Sequence, residues 1–223
     1  VGTSIGDITA GLFGAIGVLA ALRERETTGL GRHVDVAMLD SQVAILENAI
    51  ARYAATGVVP GPLGARHPSI APFAAFRARD RYLVIAAGHD EMFRRLCAVL
   101  GAGELLDDPR FCGVQERARN ADALTPELEK RLAARDAADW LERLAAAGVP
   151  CGPIHDIAGV LADPQVRARN MIVTVDDPIA GVLSMPGNPI KLDRRPDPTT
   201  RPPAPELDAD RAAILAELER EDG

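Results

Sequence analysis

The sequence predicts an α/β protein in two parts: a larger α/β body and a smaller α+β domain inserted between two linkers. Three observations predict it. The first 55 residues read as helix, short strand, helix, the pattern of an α/β layer. Two Pro/Gly-dense segments, 56–72 and 148–154, bracket residues 73–147 and set them apart. Hydrophobic residues make up 47% of the 223 residues but aromatics only 4%, which points to an aliphatic, largely helical core. The expected organisation is therefore 1–55 for the first part of the large body, 56–72 as linker, 73–147 as the small domain, and 148–223 as linker, return and terminal helix.

Residues 7–26 read as the first helix, closed by Thr28-Gly29-Leu30-Gly31 with Arg23 and Arg25 in its last turns. Gly11, Gly14 and Gly17 recur every third residue. Each weakens a helix by about 1 kcal/mol relative to Ala, so the stripe implies close approach of another backbone. The apolar run 8–22 is short for a membrane span and lacks a basic leader, so it reads as a buried helix. Residues 33–38 (HVDVAM) alternate as a strand, and 39–55 follow as a second helix.

Beyond the first linker, 73–77 and 82–87 flank the polar turn Arg79-Asp80-Arg81 and predict a β-hairpin. Residues 89–100 place Met92, Phe93, Leu96 and Leu100 on one helical face. The stretch 109–148 is helical and charged, with Asp136 as an N-cap and 116–143 as a solvated face. GVPCGPI (148–154) is a break. Short helices near 156–162 and 164–169, strands at 171–175 and 182–185, a Pro-rich extended segment and a terminal helix at 209–221 complete the chain.

The formal net charge of −7 argues against nucleic acid or an anionic membrane as partner. Cys97, Cys112 and Cys151 are irregularly spaced, which is neither a disulfide framework nor a zinc pattern. A cytoplasmic location and no metal are expected.

Asp7 is the residue with chemical interest, because it stands alone before the long apolar helix. Unpaired N–H groups and the dipole at a helix start favour an ionised carboxylate there. Such a group can attack an activated acyl carbon, with neighbouring N–H groups holding the resulting oxyanion. It can equally be an ordinary helix cap. Arg66 and His67, in the loop Gly64-Ala65-Arg66-His67-Pro68, are candidate substrate contacts: Arg66 for a carboxylate, His67 for the acyl group. The same residues also suit a structured linker. His33, His89 and His155 read as surface or capping residues, Asp40 as a cap or ion-pair partner, and Cys97 as a core thiol. Cys151 has no identifiable base.

The segment SIGDITAGLFGAIGVLAALRERETTGLGRHVDVAMLDS resembles the class III CoA-transferase family, which includes the α-methylacyl-CoA racemases. Ala21-Leu22, Arg25, Thr28-Gly29, Gly31, Val34-Asp35-Val36, Met38 and Asp40 carry the likeness. It continues through 64–76, 107–111, Arg117 with Asn120, 139–144, 148–154 and 162–169. The resemblance implies a Rossmann-like large domain, Asp7 as the covalent nucleophile, and acyl-CoA with a carboxylic acid acceptor as substrates. It implies no tightly bound cofactor. It also implies an interlocked homodimer, or a separate N-terminal half as partner. Gly64 belongs to a loop that in the family covers the reactive intermediate. The loop here lacks the longer glycine-rich form of oxalate-type transferases, which weighs against a formyl or oxalyl substrate. Family members carry roughly 150 or more residues before the Gly-Asp pair, and no GxGxxG or P-loop pattern replaces them here. The chain is thus expected to be the C-terminal portion of a longer enzyme, with exposed apolar surface on the glycine-striped helix. Racemisation, with Asp7 as one acid/base, and a catalytically silent subunit are the alternatives.

Overall fold

The computed structural model describes residues 2–221. The chain divides into two compact units, Val1–Gly64 and Ala65–Gly223.

In the first unit α1 spans Ile5–Thr28, two residues longer at each end than the sequence pattern suggested. Its stop is local: Gly29 adopts φ 72°, and its N–H bonds the Arg25 carbonyl at 2.8 Å. The predicted strand at 33–38 is absent. Residues 30–37 run without regular structure, because a strand needs a partner and the unit contains none among its described residues. The segment instead lays Val34 against Gly17, where a Cβ would sit 2.7 Å from its Cγ1. Gly11 and Gly14, by contrast, face open space, so the predicted backbone contact along the whole glycine stripe does not form within the unit.

The second predicted helix is two. α2 covers Met38–Ala44 and α3 covers Ala49–Thr56. The helical ladder cannot run through Glu47, which adopts φ 55°. α1 packs on α2, and Thr9 and Ser41 are the unit's buried residues among those described. Each satisfies its hydroxyl within its own helix, Thr9 to the Ile5 carbonyl at 2.7 Å and Ser41 to that of Ala37 at 2.9 Å. The expectation that α1 is buried fails within this chain. Eight large apolar side chains between Ile5 and Leu22 stay exposed, Leu19 by 66%. By length and composition alone α1 is also sufficient to cross a membrane.

The second unit has a different character. β1 (Phe73–Arg77) and β2 (Tyr82–Ala86) form the predicted antiparallel hairpin, pairing Phe73 with Ala86 through Arg77 with Tyr82. α4 (Asp90–Leu100), α6 (Ala121–Leu132) and α7 (Ala137–Ala146) pack with it into one core, and α5 (Val114–Arg119), between α4 and α6, contributes the buried Arg117. The spacing explains the packing: Leu83 and Ile85 alternate inward on β2, and Leu124, Leu128 and Leu132 follow at i+4 on α6. GVPCGPI is not simply a break. Its Cys151–Pro153 forms β3, the third strand of the sheet, antiparallel to β2. Gly and Pro obscure the strand in the sequence, yet Pro153 needs no ladder donor at the sheet edge.

α8 (Ile157–Ala162) and α9 (Pro164–Ala168) start where Asp156 and Asp163 accept backbone N–H groups. β4 (Ile172–Asp177) pairs antiparallel with β5 (Gly181–Pro186) and parallel with the short β6 (Thr200–Arg201). α10 (Arg211–Glu221) ends the described chain.

Two polar devices hold the second unit together. Arg117 is 1% exposed, although it falls in the stretch read as a solvated face. Its guanidinium donates to the carbonyls of Ala71, Phe111 and Gly88 and to Asp90 Oδ1, and lies 4.5 Å from the Phe93 ring centre. One side chain thereby ties together segments far apart in sequence. The start of α7 is the second device. Asp136 occupies the predicted N-cap position but makes no cap bond, being engaged by Arg79 at 2.7–2.8 Å. Asp80, from the hairpin turn, takes over and accepts the Ala137 N–H at 2.7 Å. That hydrogen bond is the main reason its carboxyl is held down to about 2.

Candidate active site

Asp7 sits in the first turn of α1, three residues past the N-cap position, which Ser4 fills. The cap reading of Asp7 therefore does not hold: its carboxylate accepts no hydrogen bond among the described residues and is exposed. The donors around it are instead left open. The N–H of Ile5 bonds Thr3 at 2.8 Å and that of Ile8 bonds Ser4 at 3.0 Å, while those of Gly6 and Asp7 have no backbone acceptor among the described residues. A free carboxylate beside two free donors at the positive end of a 24-residue helix suits attack on a carbonyl whose oxygen gains negative charge.

The sequence singled out Gly6 only as the partner of Asp7, and the structure gives it a second role. A Cβ at Gly6 would stand 2.8 Å from Gln42 Nε2, so glycine is what lets the α2 carboxamide approach the turn that carries Asp7. Gln42 was not a candidate from sequence. The available signal was the glycine itself. Beside this packing, a cleft of about 200 Å³ is lined by Phe13, Asp35, Ala37, Asp40 and Ser41, among others. Asp40 lies in the first turn of α2 and is neither its N-cap nor an ion-pair partner among the described residues. Both ordinary readings of it fail.

Gly64 closes the first unit in the left-handed region, φ 62°, with open space about its Cα, so a side chain there is strained by backbone rather than by neighbours. Arg66 and His67 belong to the second unit, where the structure brings them together along the edge of β1. The Arg66 backbone bridges to Ala74, and the His67 N–H bonds the Phe73 carbonyl at 2.8 Å. The His67 ring stacks on Phe73, centres 5.3 Å apart, and its Nδ1 accepts the Ser69 N–H at 3.2 Å. With Nδ1 occupied, Nε2 is the nitrogen left to meet a ligand. Arg66 pairs with Asp122 at 2.5 Å, so a substrate carboxylate would compete with an exposed aspartate for it.

The remaining candidates settle as structural groups. His33 and His89 are exposed, and His155 approaches Asp163 at 3.4 Å. Burial pushes the Cys97 thiol up to about 11 and raises that of Cys151, which suppresses thiolate chemistry at both. No group of three or more His, Cys, Asp or Glu among the described residues is arranged to hold a metal ion.

The chain is 45% identical over 217 residues to an acetyl-CoA:oxalate CoA-transferase of Acetobacter aceti, covering 97% of this chain and 54% of that protein. It is 34% identical to a succinate–glutarate CoA-transferase of Agrobacterium fabrum, with 98% and 54% covered. Among solved structures it resembles a CaiB/BaiF family protein from Brucella suis, with TM-score 0.78, 38% identity, and 98% and 56% covered. Rv3272 from Mycobacterium tuberculosis superposes with TM-score 0.79 at 27% identity, with 95% and 56% covered. The chain spans about half the length of the curated relatives it matches. A model of CoA-transferase family III matches residues 1–211, a stretch that includes Asp7 and the whole apolar helix behind it, and the chain belongs to that family.

Proposed function

We propose that this chain carries the nucleophile of a CoA transfer from an acyl-CoA to a carboxylic acid, and that the nucleophile is Asp7. The observation that carries the reading is the unengaged carboxylate in the first turn of α1, next to the free N–H groups of Gly6 and Asp7. An Asp7 oxygen attacks the thioester carbonyl, the C–S bond breaks, and CoA leaves as the thiolate, giving a mixed aspartyl-acyl anhydride. The thiolate then attacks the aspartyl carbonyl of the anhydride, releasing the first acid as its carboxylate and leaving an aspartyl-CoA thioester. The acceptor carboxylate attacks that thioester and displaces the thiolate, forming a new anhydride with Asp7. Attack of the thiolate on the acyl carbonyl of this anhydride regenerates Asp7 and yields the new acyl-CoA.

The acceptor is a small dicarboxylic acid in this reading. Oxalate and glutarate are named for two relatives, and mesaconate for a third, from Haloarcula hispanica, that is 35% identical. The shorter glycine loop weighed against oxalate, whereas the 45% identical relative is named for it; loop length alone is a poor guide to the acid. Activity requires a further body of protein that covers α1 and supplies the rest of the CoA pocket. The relatives are about twice as long, and the apolar face of α1 lies open in this chain. Protein rather than lipid is the proposed cover, because the matched family region runs through α1 and the same helix begins with Asp7.

The test is incubation with an acyl-CoA, with and without a protein corresponding to the other half of the relatives' length, followed by intact mass and hydroxylamine trapping. An acyl or CoA adduct on Asp7, lost in Asp7→Asn, supports transfer. Exchange of the substrate α-proton with deuterated solvent and no adduct indicates racemisation instead. No adduct under either condition, with Asp7→Asn indistinguishable from wild type, overturns the proposal.

A further inference from the structure

The second unit holds a cationic cleft lined by none of the residues placed at the Asp7 site. The segments 168–169, 188–198 and Arg201 enclose a cleft of about 450 Å³, within the range of roughly 300–1,000 Å³ typical of small-ligand sites. Arg169 enters it from the end of α9, Lys191 and Arg195 from the loop after β5, and Arg201 from β6. Against these four cations stands one carboxylate, Asp197, and it is already bound by Lys191 at 2.6 Å. Arg169, Arg195 and Arg201 enter no ion pair among the described residues. Three arginines from three segments line this one cleft without an ion pair among the described residues, which is unexpected in a chain whose net charge is −7.

The loop that bears them is held in place. The Asn170 side-chain amide donates to the carbonyls of Asp197 and Pro198 at 3.0 and 3.3 Å, and Thr174 and Val175 pair with Thr200 and Arg201 across β4 and β6. The Lys191–Asp197 pair closes the same loop across six residues. The cations are thus presented on an anchored frame, so less ordering entropy is lost when a ligand arrives. Forked guanidinium donors match the tetrahedral oxygens of phosphate, and three of them suit an anion carrying about three charges.

We propose that this cleft binds a diphosphate group. The ligand is either a free diphosphate anion or the diphosphate of a nucleotide-type molecule. The assignment does not depend on the role of Asp7.

The experiment is calorimetric titration of the full chain with pyrophosphate, repeated across salt concentrations. The comparison protein carries Arg169→Gln, Arg195→Gln and Arg201→Gln together. Lys191 is retained because its pair with Asp197 closes the loop, and circular dichroism verifies that the fold is kept. Saturable, salt-weakened binding to wild type, reduced on the order of a hundredfold in the triple variant, is the expected result. Equal binding by both proteins overturns the proposal, as does absence of binding to wild type. Citrate, a compact anion of similar charge, must bind at least tenfold more weakly; parity with pyrophosphate overturns the assignment to phosphate. Coenzyme A as competitor separates the two sources. Displacement of pyrophosphate assigns the cleft to the diphosphate of CoA, and simultaneous binding assigns it to a free diphosphate; the site stands in both cases.

Discussion

Replacing Arg117 tests the polar centre of the second unit. Its guanidinium is the hydrogen-bond partner of three carbonyls, those of Ala71, Gly88 and Phe111, and also reaches Asp90. In Arg117→Met the apolar volume is largely retained, yet those carbonyls cannot be mutated away. Each buried acceptor left without a donor costs about 1–3 kcal/mol, and loss of the stacking on Phe93 adds about 1–2 kcal/mol. Relief of the guanidinium desolvation offsets part of this, which leaves a net loss of about 3–5 kcal/mol, the usual range for breaking a buried charged pair. With a urea slope of about 1.5 kcal/mol per molar, the unfolding midpoint falls by roughly 2–3 M. Trp140, the chain's single tryptophan, is 4% exposed in this unit's core, with its indole N–H on the Leu132 carbonyl at 2.7 Å. Its fluorescence therefore reports this unit specifically. Arg117→Lys should recover less than half of the loss, because one ammonium cannot reproduce a fork directed at four acceptors. A midpoint shift below about 0.5 M in Arg117→Met, less than about 1 kcal/mol at that slope, refutes the reasoning.

Asp80→Asn tests the borrowed cap on α7. The folded carboxyl titrates at about 2, below its ordinary 3.8, so its stabilisation is fully present above pH 3.8 and disappears as pH falls through about 2. The stability gap between wild type and variant, read from Trp140 fluorescence, should be open near neutral pH and close across that window; a pH-independent gap contradicts the assignment. Gly88→Ala drives a Cβ into Ile70 Cγ2 and should cost about 1–3 kcal/mol in chemical denaturation. If the clash is the cause, pairing it with Ile70→Ala costs less than the sum of the two single changes. Leu128→Ala, at a fully buried position on α6, should lose about 2–5 kcal/mol. A loss under 1 kcal/mol would show that the core described around α6 is not packed as stated.

What could be read from the sequence was what short-range chemistry decides. The hairpin around Arg79-Asp80-Arg81, the amphipathic face of α4 and the Asp156 and Asp163 starts each depend on residues within a few positions of one another. The misreadings share the opposite property. HVDVAM alternates like a strand, but alternation cannot supply the neighbouring strand that pairing requires. β3 was hidden because its pairing partner, β2, lies some 65 residues earlier in the chain. Arg117 carries the composition of a surface residue, and its burial follows only from the four acceptors that the fold assembles around it. At the candidate site, the sequence located Asp7 through its isolation before an apolar helix. It could not show that Ser4 takes the cap position and leaves the carboxylate free.

The two units differ in how far each has buried its own apolar surface, and that difference bears on the proposed chemistry. The second unit closes a core from Phe76 to Val149. The first leaves eight large apolar side chains of α1 about half exposed. At about 1 kcal/mol for half of such a side chain, covering them is worth on the order of 8 kcal/mol, comparable with the whole stability of a small domain. In the proposed reading, a protein that covers α1 binds with a large driving force, on the helix whose first turn holds Asp7. Excluding water there strengthens the attraction between the Gly6 and Asp7 N–H groups and a developing oxyanion, which bulk solvent otherwise screens. The proposed function would then couple folding and catalysis through one helix. Replacing Leu12, Ile16 and Leu19 together by Gln should weaken association with the covering protein and lower the rate of adduct formation on Asp7 in parallel. A change in association with no change in that rate would separate the two roles of α1.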